Sequence, residues 1–178
     1  MKIRLLLIST IIGLCLWSFG ALAQIDSGSK IIGGSLRYSN VSYRHSDENI
    51  TTVELNPRLG YFFSDNMAVG AEVVYLWEKT NTFDQVSTAL GIGPFGRYYL
   101  DAGVFGQVDV RYFHRNNGEI KSDGTSLGFG LGYAAFVTDN IAIEPIFGVR
   151  FGNGDLYKYK QQVEFYFNFG IQLYADRL

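Results

Sequence analysis

The chain has 178 residues, of which 47% are hydrophobic, 16% aromatic and 18% charged, with 21 glycines and 3 prolines. Its mean hydropathy is +0.06 and its formal net charge −2. That much apolar and aromatic side chain excludes a disordered chain, the near-zero hydropathy excludes a helical membrane bundle, and the lack of a basic excess gives no footing for a nucleic-acid partner.

Taken in chain order, the first element is a leader. Lys2 and Arg4 form a short basic stretch, 5–19 is almost unbroken apolar sequence, and Ala21-Leu22-Ala23 offers a small-x-small cleavage site. Residues 1–23 are therefore expected to be a cleaved signal peptide and 24–178 a single domain. A membrane anchor is the alternative, but the apolar run is short for a span and no basic cluster follows it. Cys15 does not make a lipoprotein signal, because Leu14 precedes it where a small residue is needed. Losing Lys2 and Arg4 moves the formal charge from −2 to −4, and losing Cys15 leaves no thiol for a disulfide.

The rest of the sequence alternates. A first strand at about 31–43 is the least clean. Apolar residues then recur at every second position through Val53, Leu55, Leu59, Tyr61 and Phe63; through Met67, Val69, Ala71, Val73, Tyr75 and Trp77; and through Val86, Leu90, Ile92, Tyr98 and Leu100. The pattern continues at Ala102, Val104, Val108, Val110 and Tyr112; at Leu127, Phe129, Leu131 and Tyr133; and at Ile141, Ile143, Phe147, Val149 and Phe151. It ends with an unbroken apolar series at odd positions 163 to 173. A period of two is the signature of a strand, and these strands are long for a globular protein. Eight are expected, with no helix.

Short links (Ser64-Asp65-Asn66, around Asp101, and Thr138-Asp139-Asn140) alternate with longer polar ones at about 44–50, 79–85, 116–124 and 153–160. All short turns then lie at one end and all long loops at the other, as in bacterial outer-membrane barrels. A partial echo, Leu59-Gly60-Tyr61 before Ser-Asp-Asn-Met-Ala-Val and Leu131-Gly132-Tyr133 before Thr-Asp-Asn-Ile-Ala-Ile, marks two similar hairpins.

The same alternation would suit a secreted soluble lipocalin-like ligand-binding barrel with its faces reversed, so chemistry must decide which face is outside. Lysines fall in the leader, at strand ends and in loops, whereas a wetted strand surface would carry some. Most strand glycines lie on the polar face, as a crowded lumen needs. The aromatic residues of the apolar face gather toward its ends: Tyr75, Trp77, Tyr112, Phe151 and Phe165 on the loop side, Tyr61, Phe63, Tyr98 and Tyr133 on the turn side. Two interfacial girdles are expected there. The polar face carries Arg37, Arg58, Arg97, Arg111 and Arg150 against Glu54, Glu72, Asp109, Glu144 and Glu164. A narrow lumen filled by paired arginines and carboxylates follows, because buried charges persist only when paired or hydrated. A hairpin centred on Asp65 sets Arg58 opposite Glu72, and one centred on Tyr157 sets Arg150 opposite Glu164. Pro57, Pro94 and Pro145 fall inside strands, where bulges are expected.

The runs Asn56-Pro57-Arg58-Leu59-Gly60-Tyr61-Phe62-Phe63-Ser64-Asp65-Asn66-Met67-Ala68-Val69-Gly70 and Gly93-Pro94-Phe95-Gly96-Arg97-Tyr98-Tyr99 resemble the small outer-membrane β-barrel superfamily of the OmpA/OmpX/OmpW type, and especially the porin-family barrels common in Bacteroidetes. The resemblance spans about 30 to 178 and implies an all-β, eight-stranded antiparallel up-and-down transmembrane barrel. It also implies residence in a Gram-negative outer membrane among lipid and lipopolysaccharide, with periplasmic chaperones and the barrel-assembly machinery as partners in biogenesis. The chain departs from that pattern at its end, Tyr174-Ala175-Asp176-Arg177-Leu178, which lacks a terminal aromatic residue.

Some barrels of this kind modify lipid A with a histidine, a serine and a carboxylate near the loop end. His114 occupies a comparable place but is followed by Arg115-Asn116-Asn117, and His45 stands in the first loop beside Ser46, Asp47 and Glu48. The expected protein is non-enzymatic, with neither cofactor nor metal site, and acts as a structural or binding element or a very narrow porin-like barrel, its specificity in four short extracellular loops. A lipid A-modifying enzyme with His114 as base is the alternative. Asp47-Glu48 and Asp155 are candidates for touching cations that bridge lipopolysaccharide.

Overall fold

A computed structural model describes residues 27–42, 49–80, 85–100, 103–116, 121–155 and 161–175. The leader 1–23, His45, Asp47-Glu48, the turn at Asp101 and the last three residues lie outside them. The strands are β1 (Lys30–Ser42), β2 (Asn49–Ser64), β3 (Met67–Thr80), β4 (Gln85–Tyr99), β5 (Val104–Asn116), β6 (Lys121–Tyr133), the two-residue β7 (Ala135–Phe136), β8 (Ile141–Gly154) and β9 (Gln161–Ala175). Each pairs antiparallel with its neighbours, and β9 returns to β1, so the sheet closes. β7 pairs with β8 in the register of β6, which makes β6 and β7 one stave of an eight-staved barrel.

The strands run further into the loop end than alternation indicated. β6 starts at Lys121, paired with Asn116, and β3 reaches Thr80, paired with Gln85, so the loop-side links are shorter than the polar stretches of the sequence. Polar residues there continue the ladder because a strand rising out of the apolar layer needs no apolar face.

A hydrogen-bond row fixes the tilt. From Val69 it passes through Gly96, Val108, Phe129, Val149 and Phe165. Carried on in the β1–β9 register it meets Asn40 and Thr51 and returns to β3 at Lys79, ten residues from its start. With a rise of about 3.3 Å per residue and strands about 4.8 Å apart, that stagger tilts eight strands by roughly 40°. Rows therefore climb the wall, and the outer face from Phe63 to Phe165 is one rising apolar furrow.

The prolines do not make bulges. Pro57 pairs with Gly34 on one side, while the β2–β3 ladder skips from Leu55–Tyr75 to Arg58–Glu72 in unchanged register. Pro94 likewise pairs with Ala71, and the β4–β5 ladder skips from Ile92–Tyr112 to Phe95–Asp109. Pro145 pairs with Phe169, and the break between β6 and β7 falls opposite it. A missing N–H removes rungs on one side only, and here no extra residue is inserted to compensate. The recorded register shift is at Phe62/Ser64, beside the Asp65–Asn66 turn.

Side-chain ties fasten the turn end. Ser27 N–H donates to Asp65 Oδ1 at 2.9 Å, Asn66 Nδ2 donates to the Tyr99 carbonyl at 3.2 Å, and Ile141 N–H donates to Thr138 Oγ1 at 3.0 Å. Gly103 takes φ +79, and a β-carbon there would stand 2.9 Å from the Ala134 carbonyl oxygen, so the position suits glycine.

Candidate functional site

Parity places the charges. β2 turns Glu54, Asn56, Arg58 and Phe62 inward, β5 turns Phe105, Gln107, Asp109, Arg111 and Phe113 inward, and the alternate residues of both face out. Outside, Leu36, Leu59, Ile92, Leu131, Phe147, Phe165 and Ile171 are each more than half exposed. Inside, Glu54, Arg58, Glu72, Arg97, Asp109, Arg111, Glu144 and Arg150 are buried. A soluble lipocalin-like barrel needs the reverse, so the lipocalin alternative fails on the distribution of faces. The architecture is an eight-stranded transmembrane β-barrel.

Arg111 is the centre of the lumen. It reaches Glu72 at 2.5 Å, Glu54 at 3.0 Å and Asp109 at 3.0 Å. Arg58 stands opposite Glu72 and bonds it at 3.0 Å, and Arg150 reaches Asp109 at 3.3 Å. Arg97 bonds Glu144 at 2.9 Å. At the loop-side mouth Arg37 bridges Glu54 and Glu164. Arg150 and Glu164 do share a rung, but they do not pair: Arg150 turns down to Asp109 and Glu164 to Arg37. A rung partner at the mouth loses to a buried carboxylate because the buried one has no water to fall back on.

Neutral groups that parity alone did not single out complete the lattice. Gln107 Oε1 accepts from Arg58 at 3.0 Å and Arg97 at 2.9 Å, while its Nε2 donates to Asp109 at 3.3 Å. One amide thus keeps two like charges in register. Asn56 Nδ2 donates to Glu54 at 2.8 Å. Phe95 lies between Arg58 and Arg97, 5.3 and 5.6 Å from its ring centre, and Phe105 lies 4.3 Å from Arg97. For the rings a signal was in the rungs, since three of them face glycines: Phe95 opposite Gly70, Phe105 opposite Gly132, Tyr166 opposite Gly148. A β-carbon at any of these glycines would stand within 3 Å of the ring.

Below the lattice an aromatic plug of Phe62, Tyr99, Phe105, Phe136 and Tyr174 packs with Ile31, Ala142 and Ile146 across the turn end. A ring of bonds joins plug to lattice: Arg97 donates to Tyr99 Oη at 3.0 Å, Tyr99 and Tyr174 share a hydrogen bond of 3.0 Å, and Tyr174 donates to Glu144. Paired charges fill the middle of the lumen and aromatic rings pack across its turn end.

On the outer wall, Tyr61, Phe63, Tyr75, Tyr98, Tyr112, Phe151 and Phe165 are exposed, and Trp77 and Tyr133 are half-buried. His114 is exposed at the loop end of β5, its Nδ1 2.7 Å from Asp123 Oδ1 on the facing rung. Its rung partner on β4 is Leu90, so no serine stands on either side of it. Among the described residues no cluster of three or more metal-ligating side chains is found.

The chain is similar to a solved structure described as "De novo design of transmembrane beta-barrels", with 17% identity, a TM-score of 0.48, and coverage of 84% of this chain and 98% of that one. It is also similar to the outer membrane protein OprG from Pseudomonas aeruginosa, with 14% identity, a TM-score of 0.44, and coverage of 86% and 99%. No protein-family model and no curated protein matches it.

Proposed function

We propose that this chain is a non-enzymatic barrel of a Gram-negative outer membrane, exported by its leader, inserted by the barrel-assembly machinery and surrounded by lipid and lipopolysaccharide. The reading rests on one observation: the wall is apolar outward while the lumen is filled by paired charges over an aromatic plug. A lumen so filled does not carry solutes, so the part left to recognise anything outside the cell is the set of four loop-side links. Purified protein in planar bilayers is expected to show no steady conductance. A stable, large conductance would overturn the closed lumen.

The hydrogen bond between His114 and Asp123 favours a second reading. A carboxylate holding Nδ1 leaves Nε2 free, which is how a general base is oriented. Against it stands the lack of a nucleophile on the neighbouring rungs. His114→Ala is expected to leave the lipid A profile unchanged by mass spectrometry, and loss of a modified species would establish the enzyme.

A further inference from the structure

The lumen has two unlike sides. Toward β4 and β5 its polar groups are taken up: Gln107 holds Arg58, Arg97 and Asp109 with both ends of its amide, Tyr99 bonds Arg97 and Tyr174, and the Arg58 and Arg97 guanidiniums lie against the rings of Phe95 and Phe105. On β6, β8 and β9 they are not. Ser126 Oγ, Arg150 Nε, Tyr166 Oη, Asn168 Oδ1 and Gln172 Oε1 have no hydrogen-bond partner among the described residues, although none of these five residues is more than 4% exposed. Buried polar atoms are rarely left so, because nothing then replaces the water they gave up.

The five are neighbours on one wall. Ser126 shares a rung with Gly152, Arg150 is the next inward residue of β8, and its guanidinium lies 4.6 Å from the centre of the Tyr166 ring. Tyr166 and Asn168 are successive inward residues of β9, and Gln172 follows beyond Gly170. The band descends from the loop-side mouth, where Glu164 is 35% exposed, toward the aromatic plug. Its bed is bare of side chains: Gly130 and Gly148 lie under the Tyr166 hydroxyl, Gly33 lies beside Gln172 Oε1, and Gly170 faces Ser35. It reaches the β1–β9 seam, whose ladder stops at Leu36–Phe169 although β1 continues to Ser42 and β9 begins at Gln161.

The donor and acceptor inventory selects the ligand. Arg150 Nε only donates, the amide oxygens of Asn168 and Gln172 only accept, and the hydroxyls of Ser126 and Tyr166 do either. An ion of either sign suits part of this set, and the lumen arginines Arg37, Arg58, Arg97, Arg111 and Arg150 are each already paired with a carboxylate. A small neutral molecule that donates and accepts suits all of it. We propose that this wall is a water-binding site, holding about three bound waters, each making about three hydrogen bonds, that enter from the loop-side mouth and stop at the plug. The lumen is then closed to solutes without being dry. The inference rests on the closed lumen proposed above.

X-ray radiolysis of the protein in lipid vesicles tests this, because hydroxyl radicals formed from water in place oxidise the side chains beside it. Tyr99, Tyr166 and Tyr174 are each 4% exposed, so their labelling rates, read by mass spectrometry, compare like with like. Tyr166 is expected to be labelled several times faster than the other two, whose hydroxyls are bonded to protein. Asn168→Leu, which nearly keeps the volume and removes an acceptor, should bring Tyr166 down toward their rate. Equally slow labelling of all three means a dry lumen and overturns the water site while the closed barrel stands. Equally fast labelling means an open pore and overturns both. Fast labelling of Tyr166 that Asn168→Leu leaves unchanged comes from opening of the mouth and overturns the site as well. Should that variant fail to fold, water-to-amide cross-relaxation by NMR on the unaltered chain decides: signals are expected at the Gly130 and Gly148 N–H and not at Gly70 under the Phe95 ring, and their absence at the first two overturns the site.

Discussion

Arg111→Met should destabilise the barrel by about 3–5 kcal/mol, the range for removing one partner from a buried ion network. Arg111 is 1% exposed and is the one guanidinium among the described residues that pairs with three carboxylates, Glu54, Glu72 and Asp109. Each of the three keeps a second arginine, Arg37, Arg58 and Arg150 respectively, but the centre of the lumen then holds three converging anions with no cation between them. Methionine nearly fills the volume, so the loss is electrostatic rather than a cavity. Arg37→Met at the mouth should cost less than Arg111→Met, because Glu164 is 35% exposed and can turn to water while the buried Glu54 keeps Arg111 and Asn56. Urea unfolding in detergent or lipid vesicles measures both. Equal costs, or a larger one for Arg37, would contradict a lattice organised around Arg111.

Gly93→Ala is the second large effect expected. A β-carbon there would stand 1.8 Å from the Val110 carbonyl oxygen and 2.8 Å from its carbon, atoms of the β5 backbone that cannot rotate away. Gly93 also precedes Pro94, where rungs between β4 and β5 are already missing. The two strands must separate to admit the methyl, at a cost of about 1–3 kcal/mol by analogy with overpacked cores. A lower folded fraction and a lower urea midpoint report it. Gly106→Ala is the contrast, since nothing lies within 4 Å of the added carbon. It should be neutral or stabilise by about 0.4–1 kcal/mol through the unfolded chain. Comparable losses at the two positions would mean that crowding does not explain the lumen glycines.

Strand number, turn asymmetry and the two faces were legible because a half-buried strand writes its environment at every second residue. Arg58 opposite Glu72 was legible for a related reason, as a tight turn at Asp65 leaves a single register. Loops blur that arithmetic, so hairpin symmetry puts Arg150 beside Glu164 but cannot say that each prefers another partner. Gln107 was hidden because a neutral amide at an inward position reads as any polar residue until two arginines from other strands meet its oxygen. The prolines mark the same boundary. That a donor is lost follows from the sequence, whereas the choice between a bulge and a plain gap depends on the neighbouring strand.

The three proline gaps have a mechanical meaning when taken with the half-open seam. They interrupt β2–β3, β4–β5 and β6–β8, and the fourth seam, β9–β1, is unzipped over its loop half. The ladders inside the loop-side hairpins, β1–β2, β3–β4, β5–β6 and β8–β9, run without a break. Under tension the wall should therefore part between hairpins before it parts within them. The barrel is a ring of four stiff staples held by softer joints, and load applied at either end of the chain would draw it from the membrane a quarter at a time.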